Sequence, residues 1–320
     1  MKNKKNIFLF ANVVLAVALF YLFFKGLDYA ALGAILGRAR FEWILAAAVL
    51  YYTLQFSTAL RLKWLSDELV RPVGVLGVFK AHLAGLLFSD YTPGRAGYAY
   101  FVVRAREWGL KARQGVRVFG VSLASDFFTR GVFAALSIYY LFDSREALLA
   151  CAALLVVGSL GFLWALTAPR KPIARLLALL PSTGAGEFYA SVFKKRISSL
   201  LVYLNVGVSF TGAFVRGLEW MCLAAALGHP FAWSELFVFA AFNSVLTALS
   251  FVPLSVAGLG LQEGAGALFF SAALGVDLAF AGALMLLVRF TEAGCNLAGL
   301  AGLVAPSGKT KSTKITKKRS

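Results

Sequence analysis

Apolar runs of about 20 residues recur from one end of this chain to the other, a length matched to a hydrocarbon core of roughly 30 Å at ~1.5 Å of helix rise per residue. They lie near residues 7–24, 42–60, 118–142, 146–168, 199–227, 235–254, 258–274 and 278–304, eight in all. Apolar residues are 60% of the 320 and charged residues 15%, well below the ~25% of soluble proteins. A soluble domain cannot hide that much apolar surface. The fold class expected is therefore all-α, a polytopic membrane helical bundle of about eight transmembrane helices. One integral membrane unit spans residues 1–306, followed by a disordered basic tail over 307–320 in which Lys alternates with Ser and Thr. The first span has no small-residue cleavage site before Lys25 and reads as an uncleaved anchor.

The net charge of +17 is unevenly spread: three lysines precede the first span, ten Lys or Arg lie from Arg61 to Arg117, six from Arg170 to Arg196 and six from Lys309 to Arg319. If the eight spans alternate, these 25 of 32 positive charges share one face. The positive-inside rule then places both termini in the cytoplasm, with the chain multi-pass in the cell membrane. Basic charge alone also suits nucleic acid, but there is no soluble module to bind it, and attraction to anionic lipid headgroups explains the same residues. Residues 27–40 and 170–197 interleave charge with apolar residues and read as short interfacial helices and loops. Cys151, Cys222 and Cys295 lie singly in apolar spans, and His82 and His229 are far apart. No disulfide framework, metal centre or cofactor is expected, and no Walker loop is present to hydrolyse ATP.

Two segments interrupt this pattern: Pro93, Gly94, Arg95, Ala96 and Gly97, and then Pro253 with Gly258, Leu259, Gly260, Leu261, Gln262 and Glu263. Backbone broken by proline and glycine is tolerated at membrane depth only where it is buried or lines a cavity, and paired breaks of this kind point to transporter substrate sites. The apolar run from Val75 to Phe88 is too short to cross. A re-entrant hairpin turning at Pro93 and Gly94 and returning through Val103 reconciles it with the charge pattern, leaving Arg104 and Arg106 at headgroup level. A surface helix followed by a turn is the alternative. A shift of 160 positions aligns Leu76 with Leu236, Val78 with Val238, Phe79 with Phe239, Ala81 with Ala241, Leu86 with Leu246 and Pro93 with Pro253. The two copies begin on opposite faces, so an inverted repeat is possible, although a small apolar alphabet also produces such matches.

Ionisable residues inside the spans come in helical pairs: Asp126 with Arg130, Arg216 with Glu219, and Arg289 with Glu292. A charge at the bilayer centre costs roughly 2.5–3.5 kcal/mol, so these groups face protein or a wet cavity, as structural bridges or as a functional site. Arg61, Arg95, Arg130, Arg216 and Arg289 suit a phosphate because guanidinium is a planar two-pronged donor. The helix beginning after Gly260 adds free N–H groups and a dipole end. Glu263 has the wrong sign for phosphate; it favours the helix start and leaves an arginine or a cationic headgroup open as its partner.

With Arg61 closing the second span, Pro93 to Gly97 followed by Arg104, Pro253, Ser255, Gly258 to Glu263, and Arg289 in the last span, the chain resembles the lysylphosphatidylglycerol synthase transmembrane-region, or flippase-like, family over residues 7–304. Tyr98 and Gln262 depart from the family pattern, which commonly has an acidic residue at the first position and an arginine at the second. The resemblance implies a protein that moves lipids between leaflets. Some relatives carry a fused aminoacyl-transfer domain, and nothing soluble and domain-sized follows Val304 here, so a free-standing transferase is disfavoured. The leading expectation is a flippase or lipid transporter for a phospholipid or a polyprenyl- or glycolipid-type lipid with an anionic headgroup. The alternative is an accessory subunit partnering a lipid-modifying enzyme. Substrate contacts are assigned to Arg61, Pro93, Arg95, Arg104, Asp126, Arg130, Arg216, Gly258, Gly260, Gln262, Glu263, Arg289 and Glu292.

Overall fold

The computed structural model describes residues 28–70, 72–92, 95–141, 197–251 and 258–304, together with isolated positions at Val14, Val17, Ala18, Tyr21, Lys25, Leu149 and Ala153. Apart from those positions, the expected spans at 7–24 and 146–168 lie outside the described residues, as do most of 170–197, the tail after Val304, and Pro93, Gly94, Pro253 and Ser255.

The described residues are helical and contain no strand. Asp28 starts α1 (Tyr29–Gly37) by accepting the Ala30 and Ala31 N–H groups at 2.9 and 3.1 Å, the usual satisfaction of a helix N-terminus. α2 (Phe41–Leu69), α5 (Ala112–Leu141) and α6 (Ser199–Ala226) are the long helices. Between them lie α3 (Val75–Ser89) and the short α4 (Tyr100–Arg104), which is flanked by 3-10 turns at Ala96–Ala99 and Ala105–Trp108. α7 (Leu236–Ser250), α8 (Leu261–Leu274) and α9 (Leu278–Asn296) follow, and a 3-10 turn continues α9 into α10 (Leu300–Val304). Five segments are long and apolar enough to cross a membrane: Phe41–Leu69, Ala112–Ser137, Ser199–Ala226, Trp233–Ser250 and Leu278–Leu303. Large apolar side chains such as Phe41, Tyr203, Leu268 and Phe290 point outward, as a lipid-facing surface requires. The stretch expected as a span over 258–274 is a helix of 14 residues, about 21 Å long at ~1.5 Å per residue, and is not one of the five.

Both sequence breaks are tips of helical hairpins. The chain runs along α3 and then doubles back: a Cβ at Gly97 would lie 2.1 Å from the Ser89 nitrogen, Phe88 meets Tyr100 at 5.0 Å, and Gly77 faces the Trp108 indole. By Trp108 the chain has returned to the level where α3 began. α7 and α8 do the same, with Gly258 against Ser250 and Phe242 stacked on Phe269 at 5.8 Å. A side chain at Gly97 would enter the α3 backbone, while Gly258 has φ 79°, which favours glycine, and a Cβ there would crowd Ser250 at 3.0 Å.

The two hairpins point in opposite directions. α3 runs against α2, as the Gln55–His82 and Phe56–Phe79 contacts require. α6 also runs against α2, with Arg40 bonded to the Ala225 carbonyl, Leu54 against Gly212 and Arg61 near Asn205. α7 runs against α6, with Gly217 beside Leu236 and Ala240. Both hairpin helices have 15 residues. Ser89 and Ser250 are 161 positions apart, as are Gly97 and Gly258. These helix-ending serines and packing glycines are offset by 161, one more than the 160 at which the Leu, Val, Phe, Ala and Pro identities align. Packing follows the same exchange, with α5 on α7 and α9–α10 on α3.

Because the clash at Gly97 is with backbone, Gly97→Ala should abolish the monodisperse peak in detergent size-exclusion chromatography. Gly207→Ala, at an open outward position on α6, should leave it unchanged.

Candidate functional site

α2, α3, α5, α6, α7 and α9 enclose a cavity of about 110 Å³, with Arg95, Tyr98 and Phe251 brought in from the two hairpins. Positions related by the 161 register face it in pairs, His82 with Asn243 and Leu86 with Thr247. His82 is buried and hydrogen-bonded to Gln55 at 3.0 Å.

Two ion pairs shape the walls. Arg61 on α2 holds both carboxylate oxygens of Asp126 on α5 at 2.8 and 3.2 Å, and also donates to Ser209 and, at 3.4 Å, to the Asn205 carbonyl. Ser209 in turn donates to Asp126 at 2.6 Å. In the other half, Arg216 on α6 bonds Glu292 on α9 at 3.1 Å and Glu219 at 2.8 Å, with its guanidinium 5.0 Å from the centre of the Tyr51 ring. Each half thus ties its first long helix to its last by one arginine and one carboxylate. Asp126 and Glu292 are 166 positions apart and Arg61 and Arg216 are 155 apart, so the two pairs do not keep the 161 offset of the hairpins.

Two further arginines reach the cavity differently. Arg95 is buried, with φ 54°, the one non-glycine residue with positive φ among those described, a conformation that costs a residue with a Cβ roughly 1–2 kcal/mol. Its guanidinium donates to the Tyr98 hydroxyl at 3.5 Å and leaves Nε without a partner. Arg130, on α5, leaves a buried terminal nitrogen without one. Neither makes an ion pair among the described residues; both instead stand over Phe251, at 5.9 and 5.8 Å. Tyr98 stacks on the same ring at 6.1 Å and 6°. Unpartnered guanidinium nitrogens in a polar hollow can bind an oxyanion.

The family model for the lysylphosphatidylglycerol synthase TM region matches residues 9–299. The chain belongs to that family. No curated protein matches it significantly. This lysylphosphatidylglycerol synthase TM-region protein brings Arg61, Arg95, Asp126, Arg130, Arg216 and Glu292 together at the cavity. It places the remaining assigned residues elsewhere. Glu263, at the start of α8, accepts the Gly260 N–H at 2.7 Å and the Arg289 Nε at 2.6 Å, so Glu263 and Arg289 form a brace between α8 and α9 behind the cavity wall. Gly258 and Gly260, both with positive φ, shape that turn, and Gln262 is buried within it. Arg104 is bonded to Glu107 at 2.6 Å on the return arm of the first hairpin. Pro93 lies outside the described residues. Helical spacing suggested Asp126–Arg130 and Arg289–Glu292 as couples, but Asp126, Arg289 and Glu292 are each bonded to another helix. Spacing reports which residues share a face, not which helix that face meets.

Sequence reasoning overlooked Phe251, which carries no polar signal, and gave Tyr98 no role. It also overlooked the chain in which Tyr51 donates to Asn296 and Asn296 donates to Asp90 at 2.7 Å.

Removing one partner of a buried ion pair strands the other, at a cost of about 3–5 kcal/mol, whereas removing both is far milder. Asp126→Leu alone should therefore lower the thermal unfolding midpoint more than the double variant Arg61→Leu/Asp126→Leu, read by intrinsic fluorescence in detergent.

Proposed function

We propose that this protein is a transporter of the flippase type, not an enzyme, and that it carries a lipid with an anionic headgroup between the leaflets of the cell membrane. The observation that carries this reading is the Arg95 and Arg130 pair, two cavity-facing guanidiniums with unpartnered nitrogens and no ion pair among the described residues, inside a bundle whose outer surface is apolar. A phosphate lodged there is held by charge-assisted hydrogen bonds while the acyl or prenyl chains stay among the outward apolar side chains. Membership of the lysylphosphatidylglycerol synthase TM-region family supports the same reading.

In this proposal the α3–α4 and α7–α8 hairpins are re-entrant, enter from opposite faces and form the cores of an inverted repeat. The opposed helix directions and the shared 161 register support that arrangement. Both termini are assigned to the cytoplasm by the positive-inside rule. A cavity built by two halves of opposed direction can open to either side through one change made in alternate halves.

The test is a headgroup-accessibility assay in reconstituted vesicles carrying fluorescent anionic phospholipid. Loss of a hydrogen bond to a charged group is worth roughly 1.5–3 kcal/mol, so Arg95→Gln and Arg130→Gln should each slow lipid movement about tenfold or more. Arg104→Gln should not. Lipid that binds but never moves would favour the accessory-subunit reading.

A further inference from the structure

The charges at the cavity are not evenly shared, and their imbalance specifies the headgroup. Four arginines and two carboxylates line it, and a third carboxylate, Glu219, is bonded to the lining Arg216 from behind. Asp126 is taken up by Arg61 and Ser209, and Glu292 by Arg216. Asp90, close to the first hairpin tip in sequence, accepts from Asn296 and makes no ion pair with Arg95. Arg95, which reaches the Tyr98 hydroxyl at 3.5 Å, and Arg130 are left as two positive charges with no ion pair among the described residues, and both stand over the ring of Phe251.

We infer that the cargo is a lipid ending in a phosphate monoester, the chemistry of phosphatidic acid or a polyprenyl phosphate, and not a phosphodiester or an aminoacylated headgroup. This inference rests on the anionic-headgroup reading above and narrows it. A phosphate monoester carries about −1.5 to −2 at pH 7, with its second pKa near ~6 and three terminal oxygens open to hydrogen bonds. That matches two planar guanidinium forks in both charge and geometry. A phosphodiester offers the same two forks one negative charge and two terminal oxygens instead of three. An amine-bearing headgroup needs an open carboxylate, and both of those lining the cavity are occupied.

Size agrees. The cavity volume of about 110 Å³ is well below the ~300–1,000 Å³ of pockets that enclose drug-sized ligands, so a bare phosphate suits it better than one extended by glycerol, sugar or an amino acid. The Phe251 ring lies against both guanidiniums. Attraction of a guanidinium to a ring face is weaker than a charge-assisted hydrogen bond, and an arriving phosphate displaces the ring without breaking an existing ion pair.

The experiment measures binding of the full chain in phosphatidylcholine nanodiscs doped with equal mole fractions of phosphatidic acid or phosphatidylglycerol of identical acyl chains, with inorganic phosphate alone as a third arm, read by thermal shift and by lipid retention in native mass spectrometry. Phosphatidic acid should be retained at least tenfold more strongly than phosphatidylglycerol at pH 7.5. That preference should shrink as pH falls through about 6, where the phosphate gains a proton. Arg95→Gln and Arg130→Gln should remove the preference, Arg104→Gln should keep it, and Arg95→Lys and Arg130→Lys, which retain charge and lose the fork, should reduce it even if the Gln variants do not fold. Equal retention of the two lipids, still dependent on both arginines, overturns the monoester inference and leaves anionic-lipid transport standing. Inorganic phosphate binding as tightly as phosphatidic acid, or retention of neither lipid, overturns both.

Discussion

An ionised side chain in a lipid-facing bundle has to find an opposite charge or a polar hollow inside the protein, and two arginine–carboxylate pairs between helices are what the rest of this structure is arranged around. Arg61 with Asp126 joins α2 to α5, and Arg216 with Glu292 joins α6 to α9. Isolated charges at the centre of a bilayer cost roughly 2.5–3.5 kcal/mol each, so the pairs form only when the right helices are already side by side, and a wrong packing leaves them stranded. Each pair also keeps a polar wall where tight apolar packing would otherwise close the hollow.

Close backbone contact makes this geometry reachable. A Cβ at Gly97 or Gly302 would collide with the backbone of α3, and one at Gly217 would crowd that of α7; small residues at helix crossings are the usual means of association where lipid supplies no hydrophobic drive. The scaffold is nearly symmetric while the site is not. Asp126 and Glu292 each accept from an arginine on another long helix, but where Arg130 follows Asp126 by four residues, the residue four after Glu292 is Asn296, a neutral residue that bonds Tyr51 and Asp90. The first half alone supplies the surplus positive charge, through Arg95 and Arg130.

Much of the scaffold was legible in the sequence. Apolar length marked α6 and the α9–α10 segment almost to the residue and located α5 and α7 within about six; α2 overran its expected end because Arg61, Lys63 and Asp67 look like a boundary in a hydropathy reading yet continue the helix. The hairpins were visible as glycine and proline breaks in apolar runs. The partners of the charges were not. Asp126 and Arg130 share a face whether or not they bond each other, and the decision belongs to Arg61, whose sequence separation of 65 leaves no local trace. Likewise, nothing in the sequence around Glu263 and Arg289 says that they satisfy each other behind the wall, nor does anything mark Phe251 as the ring on which Arg95 and Arg130 meet.

Water access to the hollow is the property on which the account stands. In a variant with Cys151, Cys222 and Cys295 replaced by alanine, a single cysteine is introduced at Thr58, which lines the cavity, or at Leu204 or Phe290, which face outward, and each is exposed in proteoliposomes to a charged, membrane-impermeant maleimide. Labelling at Thr58→Cys, slowed by phosphatidic acid, with none at Leu204→Cys or Phe290→Cys, is the expected result. A Thr58→Cys that stays unlabelled from both sides of the membrane while folded would mean that the arginines face a dry core, and would contradict a headgroup pathway through this bundle.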